Sequence, residues 1–363
     1  MRLLHTESSN HLGGQEFRVL LEMEGLAPWG IDSVLAARPG TGIVREAVHR
    51  GLRVHEVTMR GSVDPAAVTR FMGILKRERI DLVCAHGSKD GWSAGLAARV
   101  LGRKVVRCRH VANPIRSHFF GRLVYGPLCD RIVTTAESIR QGMVERGVPA
   151  DKIVSIPTGV DLNRFHPGVE RGFFRRELGL EPGRPLVGMI SVLRGDKGPD
   201  VFIEAADEIL ARRPDAFLVL VGDGWMRRRL EEMARRSLRW ESIRLTGFRR
   251  DIPRILADLD VLVLSARIPE GVPQTILQAH AMLTPVVASD VGGINEVAIH
   301  GETALCTPAG DSRAVAGAVL RVLDEPGEAM SRARAGREMV LRHYTWPVTL
   351  ERMRDLYWRV VKS

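Results

Sequence analysis

At 363 residues the chain exceeds what one hydrophobic core usually organises, so two domains are expected. Apolar residues make up 45% and aromatics only 5%, which excludes a disordered chain and points to aliphatic cores. The net charge of +10 calls for an anionic partner, whether nucleic acid, a phosphorylated substrate or an acidic membrane surface.

From the N-terminus, β-rich runs at residues 2–7, 33–37, 54–59, 81–86, 104–108, 131–135 and 153–156 alternate with amphipathic stretches such as 65–79 and 88–101. Such alternation implies parallel sheets with helices on both faces, and ligands beyond the carboxyl ends of the strands. The first residues, 1–7, are too short an apolar segment for a secretory signal, and no apolar run approaches the roughly 20 residues of a membrane span. Gly13 and Gly14 follow the first strand and open a helix over 15–24; backbone without side chains lets N–H groups approach a phosphate, although a plain turn accounts for the pair as well. The full Gly-x-Gly-x-x-Gly fingerprint is absent, which argues against an NAD-dependent enzyme.

After the fourth strand come His86, Gly87, Ser88, Lys89 and Asp90, of which Ser88, Lys89 and Asp90 are candidates for acceptor hydroxyls or anionic groups. His110 closes the run Arg107-Cys108-Arg109 at the carboxyl end of the next strand. Residues 116–125 mix cations with large apolar side chains, as either a membrane-facing basic edge or an ordinary amphipathic helix would. Stacking aromatics are few and no reader motif appears, so nucleic acid is not expected as a partner. Cys84, Cys108, Cys129 and Cys306 show no Cys-x-x-Cys and no zinc spacing, and read as core thiols of a reducing cytoplasm.

Turn residues over 156–168 break the rhythm, and the domain boundary is expected after residue 165. Strands resume at 186–192, 216–221, 243–246, 261–265, 286–289 and 304–306, and a last helical stretch covers 347–363. Asp258 and Asp260 form an Asp-x-Asp pattern, but they precede the strand at 261–265, at the end away from any ligand, and read as structural.

The most specific segment is Ser265-Ala266-Arg267-Ile268-Pro269-Glu270-Gly271-Val272-Pro273-Gln274-Thr275-Ile276-Leu277-Gln278-Ala279, followed by Thr284-Pro285-Val286-Val287-Ala288-Ser289-Asp290-Val291-Gly292-Gly293-Ile294-Asn295-Glu296-Val297. Together with Val221-Gly222-Asp223-Gly224, Leu245-Thr246-Gly247-Phe248 and Asp251-Ile252-Pro253 in that order, it resembles the retaining glycosyltransferases of family 4, the group 1 type with the GT-B fold. The resemblance covers the C-terminal half and is looser over the first. It implies an α/β protein of two facing, doubly wound Rossmann-like domains. Residues 1–165 with a terminal helix 347–363 crossing back form the acceptor side, and residues 166–346 bind the nucleotide sugar.

The residues agree with this chemistry. Glu270 ends a loop after a strand, and Gly271, Val272, Pro273, Gln274 and Thr275 are expected to start a helix whose free N–H groups hold a diphosphate. Gln278 stands where the family usually has a second glutamate; its amide accepts a ribose hydroxyl but brings no charge. Gly222 and Phe248 join the donor-nucleotide set. Arg194 and Lys197 can stabilise a departing diphosphate without a metal. The resemblance makes Lys197 the family's phosphate lysine, whereas the family's arginine falls where this chain has Val192, two places before Arg194. It also makes His110 a donor-sugar contact.

The expected function is transfer of a hexose-type sugar from a nucleoside-diphosphate sugar to a hydroxyl of a cell-envelope glycan or lipid-linked acceptor, with retention, no cofactor and no metal. A cytoplasmic location with peripheral contact to an anionic membrane is expected. The rivals are an epimerase or phosphorylase on the same scaffold, and a sugar-nucleotide-binding protein without catalysis.

Overall fold

The computed structural model describes residues 1–10, 12–61, 63–110 and 123–363. It divides into two compact units, residues 1–158 with 347–363, and residues 159–346.

The first unit is a seven-stranded parallel sheet in the order β3-β2-β1-β4-β5-β6-β7. Its strands are β1 (Arg2–Glu7), β2 (Asp32–Ala37), β3 (Val54–Glu56), β4 (Leu82–Ala85), β5 (Lys104–Arg109), β6 (Arg131–Thr134) and β7 (Ile153–Ser155). Leu82, Val83, Cys84 and Ala85 of β4 are fully buried, the continuous apolar run of a strand covered on both faces. The sheet is flanked by helices α1 (Gly14–Leu26), α2 (Gly42–His49), α3 (Pro65–Arg77) and α4 (Ser88–Val100). Strand order reverses between β1 and β4, where His5 pairs in register with Cys84, and this switch is where such sheets bind ligands.

The terminal helix Trp346–Lys362 belongs to this unit from Pro347 onward. Its Met353, Leu356, Tyr357 and Val360 bury themselves against Leu3, Leu82, Cys84, Val106 and Val133. At roughly 1.5–3 kcal/mol for each large apolar side chain, this face is enough to hold the helix. A buried ion pair adds to it. Arg18 and Glu22 of α1 meet at 2.7 Å with no side-chain exposure. Arg18 also donates to the Ile156 carbonyl at 2.8 Å, and the Tyr357 hydroxyl donates to Glu22 at 3.2 Å.

The second unit is a six-stranded parallel sheet in the order β10-β9-β8-β11-β12-β13. Its strands are β8 (Leu186–Ile190), β9 (Phe217–Val221), β10 (Ile243–Gly247), β11 (Val261–Leu264), β12 (Val286–Ser289) and β13 (Leu305–Thr307). Here the switch lies between β8 and β11.

The boundary falls after Thr158 rather than after residue 165. A parallel bridge joins Val160 to Thr345, with Val160 N–H donating to Tyr344 at 2.7 Å and Trp346 N–H donating to Val160 at 3.1 Å. Gly159 sits so close that a Cβ there would collide with the Thr345 carbonyl. The turn-rich stretch from Gly159 onward therefore belongs to the second unit. Of the basic, aromatic stretch 116–125, residues 116–122 lie outside the described residues. No helix among the described residues is long and apolar enough to cross a membrane.

Candidate active site

In the second unit, loops from the ends of β8, β9, β11 and β12 pack together through glycines. Gly198 has φ +63, and a Cβ there would strike the Ser265 carbonyl; the Ser265 hydroxyl donates to the Gly198 carbonyl at 2.7 Å. Gly222 has φ +138, and a Cβ would strike the carbonyl of Ser191. Gly293 N–H donates to the Glu270 carbonyl at 2.8 Å. These constraints put the β8 loop, with Lys197, against the β11 loop, with Glu270.

Lys197 Nζ and Glu270 Oε2 form an ion pair there, both side chains about one-fifth exposed. The other carboxylate oxygen, Glu270 Oε1, is buried with no hydrogen-bond partner among the described residues. An unpaired buried acceptor costs about 1–3 kcal/mol, so this oxygen is poised to accept a hydroxyl. Lys197 and Glu270 are thus brought together. Arg194 is instead half-exposed and held by Asp196 through two contacts, at 3.1 and 2.7 Å.

The helix expected to begin at Gly271 begins at Gln274, with Pro273 as its N-cap. Proline has no N–H, and its φ of −73 with ψ of 127 is extended, so Gly271 and Val272 precede the helix as loop. The first-turn backbone amides of this helix are those of Gln274, Thr275 and Ile276. Gln278 is half-buried one turn on, and its side-chain amide has no hydrogen bond among the described residues. Phe248, just past β10, is 71% exposed.

In the first unit, Gly13 caps α1 and Gly14 is its first residue, with Gly13 N–H donating to Glu16 at 2.8 Å. Ser88 is exposed and Lys89 half-buried, whereas Asp90 turns inward. Its Oδ2 accepts from the Thr6 hydroxyl at 2.8 Å, from Gly87 N–H at 3.0 Å and from His86 N–H at 3.2 Å, while Oδ1 is buried without a partner. Glu7, the last residue of β1, lies over the same glycine: a Cβ on Gly87 would come 3.3 Å from Glu7 Oε1. Burial, and then the Asp90 charge, push the Glu7 carboxyl up to about 8. Both its oxygens accept, Oε1 from Ser9 N–H at 2.8 Å and Oε2 from the Gln15 side-chain amide. Glu7 carries no motif, and its place at a strand's carboxyl end was its only signal.

His110 is half-buried at the end of β5 and touches His86, its Nε2 lying 3.1 Å from His86 Nδ1; His86 Nε2 in turn lies 3.0 Å from His5 Nδ1. Two sets of donor atoms among the described residues, His5 with Cys84 and His86, and His86 with Cys108 and His110, lie within 4.8 Å of one another. Four of the imidazole nitrogens face one another in pairs at hydrogen-bond distance. Asp258 accepts backbone N–H groups of Phe174 at 2.8 Å and Arg175 at 3.1 Å, and Asp260 holds Arg175 at 2.7 Å. Both carboxylates thus tie the Phe173–Glu177 helix to the start of β11.

Residues 184–325 match the family described as glycosyl transferases group 1, and residues 12–164 match glycosyltransferase family 4. The chain is 31% identical over 251 residues to a UDP-Gal:alpha-D-GlcNAc-diphosphoundecaprenol alpha-1,3-galactosyltransferase of Escherichia coli, covering 64% of this chain and 63% of that one. It is 28% identical over 303 residues to a GDP-mannose-dependent alpha-(1-6)-phosphatidylinositol monomannoside mannosyltransferase of Mycolicibacterium smegmatis, covering 80% of this chain and 74% of that one. A glycosyltransferase from Rickettsia africae ESF-5 shares the fold with a TM-score of 0.91 at 21% identity, covering 100% of this chain and 99% of that one. Two parallel Rossmann-like sheets and these matches to both halves have one reading: the chain belongs to the group 1, family 4 glycosyltransferases and has the GT-B fold.

Proposed function

We propose that the protein transfers a hexose from a nucleoside-diphosphate sugar to a hydroxyl of a lipid-linked or cell-envelope glycan, with retention of configuration and without a metal. The observation that carries this is the Lys197–Glu270 pair in its glycine-lined loops. In the reading, the leaving diphosphate takes the Lys197 ammonium and the first-turn amides of the helix that begins at Gln274, which stabilise the charge that develops as the glycosidic bond breaks. Glu270 Oε1 then accepts a sugar hydroxyl. Arg194 leaves Asp196 to add a second cation, and Gln278 holds the ribose. In the first unit, His110 serves the donor sugar, and Ser88 and Lys89 serve the acceptor, with Glu7 added to that set. The two relatives' names carry UDP-galactose with a diphosphoundecaprenol acceptor and GDP-mannose with a phosphatidylinositol mannoside, which supports a lipid-linked acceptor at an anionic membrane.

The test is incubation of the purified protein with UDP- and GDP-sugars and undecaprenyl- or phosphatidylinositol-linked acceptors. Nucleoside diphosphate should appear only with an acceptor, the product should keep the donor's anomeric configuration, and EDTA should leave the rate unchanged. Turnover without acceptor would favour an epimerase, nucleotide binding with no turnover a binding protein, and loss in EDTA restored by manganese a metal-dependent enzyme.

The ribose assignment has its own test. Gln278→Glu should preserve or tighten donor binding, by up to roughly tenfold, because a charge-assisted hydrogen bond is stronger by about 1–2 kcal/mol. Gln278→Leu should raise the donor KM. Unchanged affinity and KM in both variants, with folding verified by circular dichroism, would return Gln278 to the role of a helix-surface residue.

A further inference from the structure

We propose that His86 and His5 are positioning residues that hold His110 in the tautomer with its proton on Nδ1, so that His110 meets its ligand as a hydrogen-bond donor. The proposal rests on the reading of His110 as a donor-sugar contact. Three rings from β1 and the ends of β4 and β5 form one chain: His5 Nδ1 to His86 Nε2 at 3.0 Å, and His86 Nδ1 to His110 Nε2 at 3.1 Å. The first two rings are 21° from parallel and the second two 29°, with centroids 5.3 and 5.4 Å apart, so the nitrogens meet edge to edge.

Proton counting decides what the chain can do. All three rings are neutral: burial pushes His5 down to about 4 and His110 down to about 3, and holds His86 well below its ordinary value. Arg18 opposes a further cation at each ring, and Glu22 pulls the other way at His5. The other titratable groups packed around them, Cys84, Cys108 and Tyr357, are themselves joined by hydrogen bonds of 3.5 and 3.2 Å. Three neutral imidazoles carry three N–H groups. Two are used between the rings, and both must point the same way, since a central ring accepting at both nitrogens would have no proton and one donating at both would be a buried cation. The third N–H is therefore either at His5 Nε2 or at His110 Nδ1.

His5 Nε2 is buried without a partner among the described residues. Buried N–H groups are left unpaired more rarely than acceptors, so the unpaired nitrogen is the bare one. The surplus proton then sits on His110 Nδ1, on the half-buried ring at the other end. The same blind end means that the chain passes no proton onward: if His110 gave up its Nδ1 proton, the replacement would have to enter at His5 Nε2, which has nothing to supply it. The chain fixes a direction rather than conducting.

The test is a two-bond proton–nitrogen spectrum of the full-length protein labelled with ¹⁵N-histidine, assigned by single substitutions and recorded without donor or acceptor. All three rings should carry the proton on Nδ1, and none should titrate between about pH 5 and 8. In His86→Phe, which removes the donor to Nε2, His110 should show mixed tautomers. His86→Gln, whose amide can donate to His110 Nε2, should restore the Nδ1 proton. A proton on Nε2 of His110 in the wild type overturns the proposal. So does an unchanged His110 tautomer in a folded His86→Phe; if that variant does not fold, the wild-type and His86→Gln spectra decide. No substrate enters these spectra, so failure of the transferase assay alone would sink the functional reading and leave the tautomers as measured.

Discussion

Lys197→Ala should cut turnover by about two orders of magnitude or more, the scale of losing a preorganised charge stabiliser in a site that excludes water. The expectation comes from geometry. Lys197 is partly buried on a loop that the Ser265 hydroxyl pins by donating to the Gly198 carbonyl, so its ammonium is already in place when the diphosphate leaves. Because the loss falls on developing charge, kcat should drop more than donor affinity. The removal also strands Glu270, so circular dichroism must accompany the kinetics. A folded variant with near-normal kcat would take Lys197 out of the site and with it the observation on which the functional reading stands. Arg194→Ala is the informative comparison: if its bidentate contact with Asp196 persists when the donor binds, its loss will be far smaller.

Glu22→Ala should destabilise the first unit by about 3–5 kcal/mol, the cost of leaving one member of a buried ion pair without its partner. Neither Arg18 nor Glu22 exposes any side chain, so water cannot replace the lost carboxylate. Tyr357 loses its carboxylate acceptor at the same time and keeps only the Cys84 sulfur, which loosens the terminal helix from α1. Urea unfolding followed by fluorescence is the direct measurement. A loss below about 1 kcal/mol would show that the pair is solvated in solution and holds nothing.

The strands were legible because buried parallel strands are near-continuous apolar runs, as Leu186–Ile190 and Phe217–Val221 are. Ends were less so: the run at 54–59 yields only Val54–Glu56, since β2 offers partners no further than Ala37. The pair Arg18 and Glu22, four apart on a helix, has the spacing of a solvated surface pair, and its partners, Ile156 and the terminal helix's Met353 and Tyr357, lie far away in sequence. His5, His86 and His110 lie 81 and 24 residues apart, so no spacing could announce their contact. Pro273 was in plain view, and its missing N–H already argued for a later helix start than Gly271. Among the candidate residues, the motif pointed to Lys197, Glu270 and Gln278 of the second unit, while Glu7 of the first was visible only once the sheet put it near Asp90.

The terminal helix also sets a timetable for synthesis. Residues 1–158 leave the ribosome early but lack residues 347–363, which complete their core. At roughly 5–20 residues per second, residues 159–346 take about 10–40 s to be made. During that interval Arg18 and Glu22 face water where Tyr357 and Met353 will later close over them, whereas the second unit, continuous in sequence, can fold as it emerges. The nascent first half is thus the part that chaperones would have to shelter.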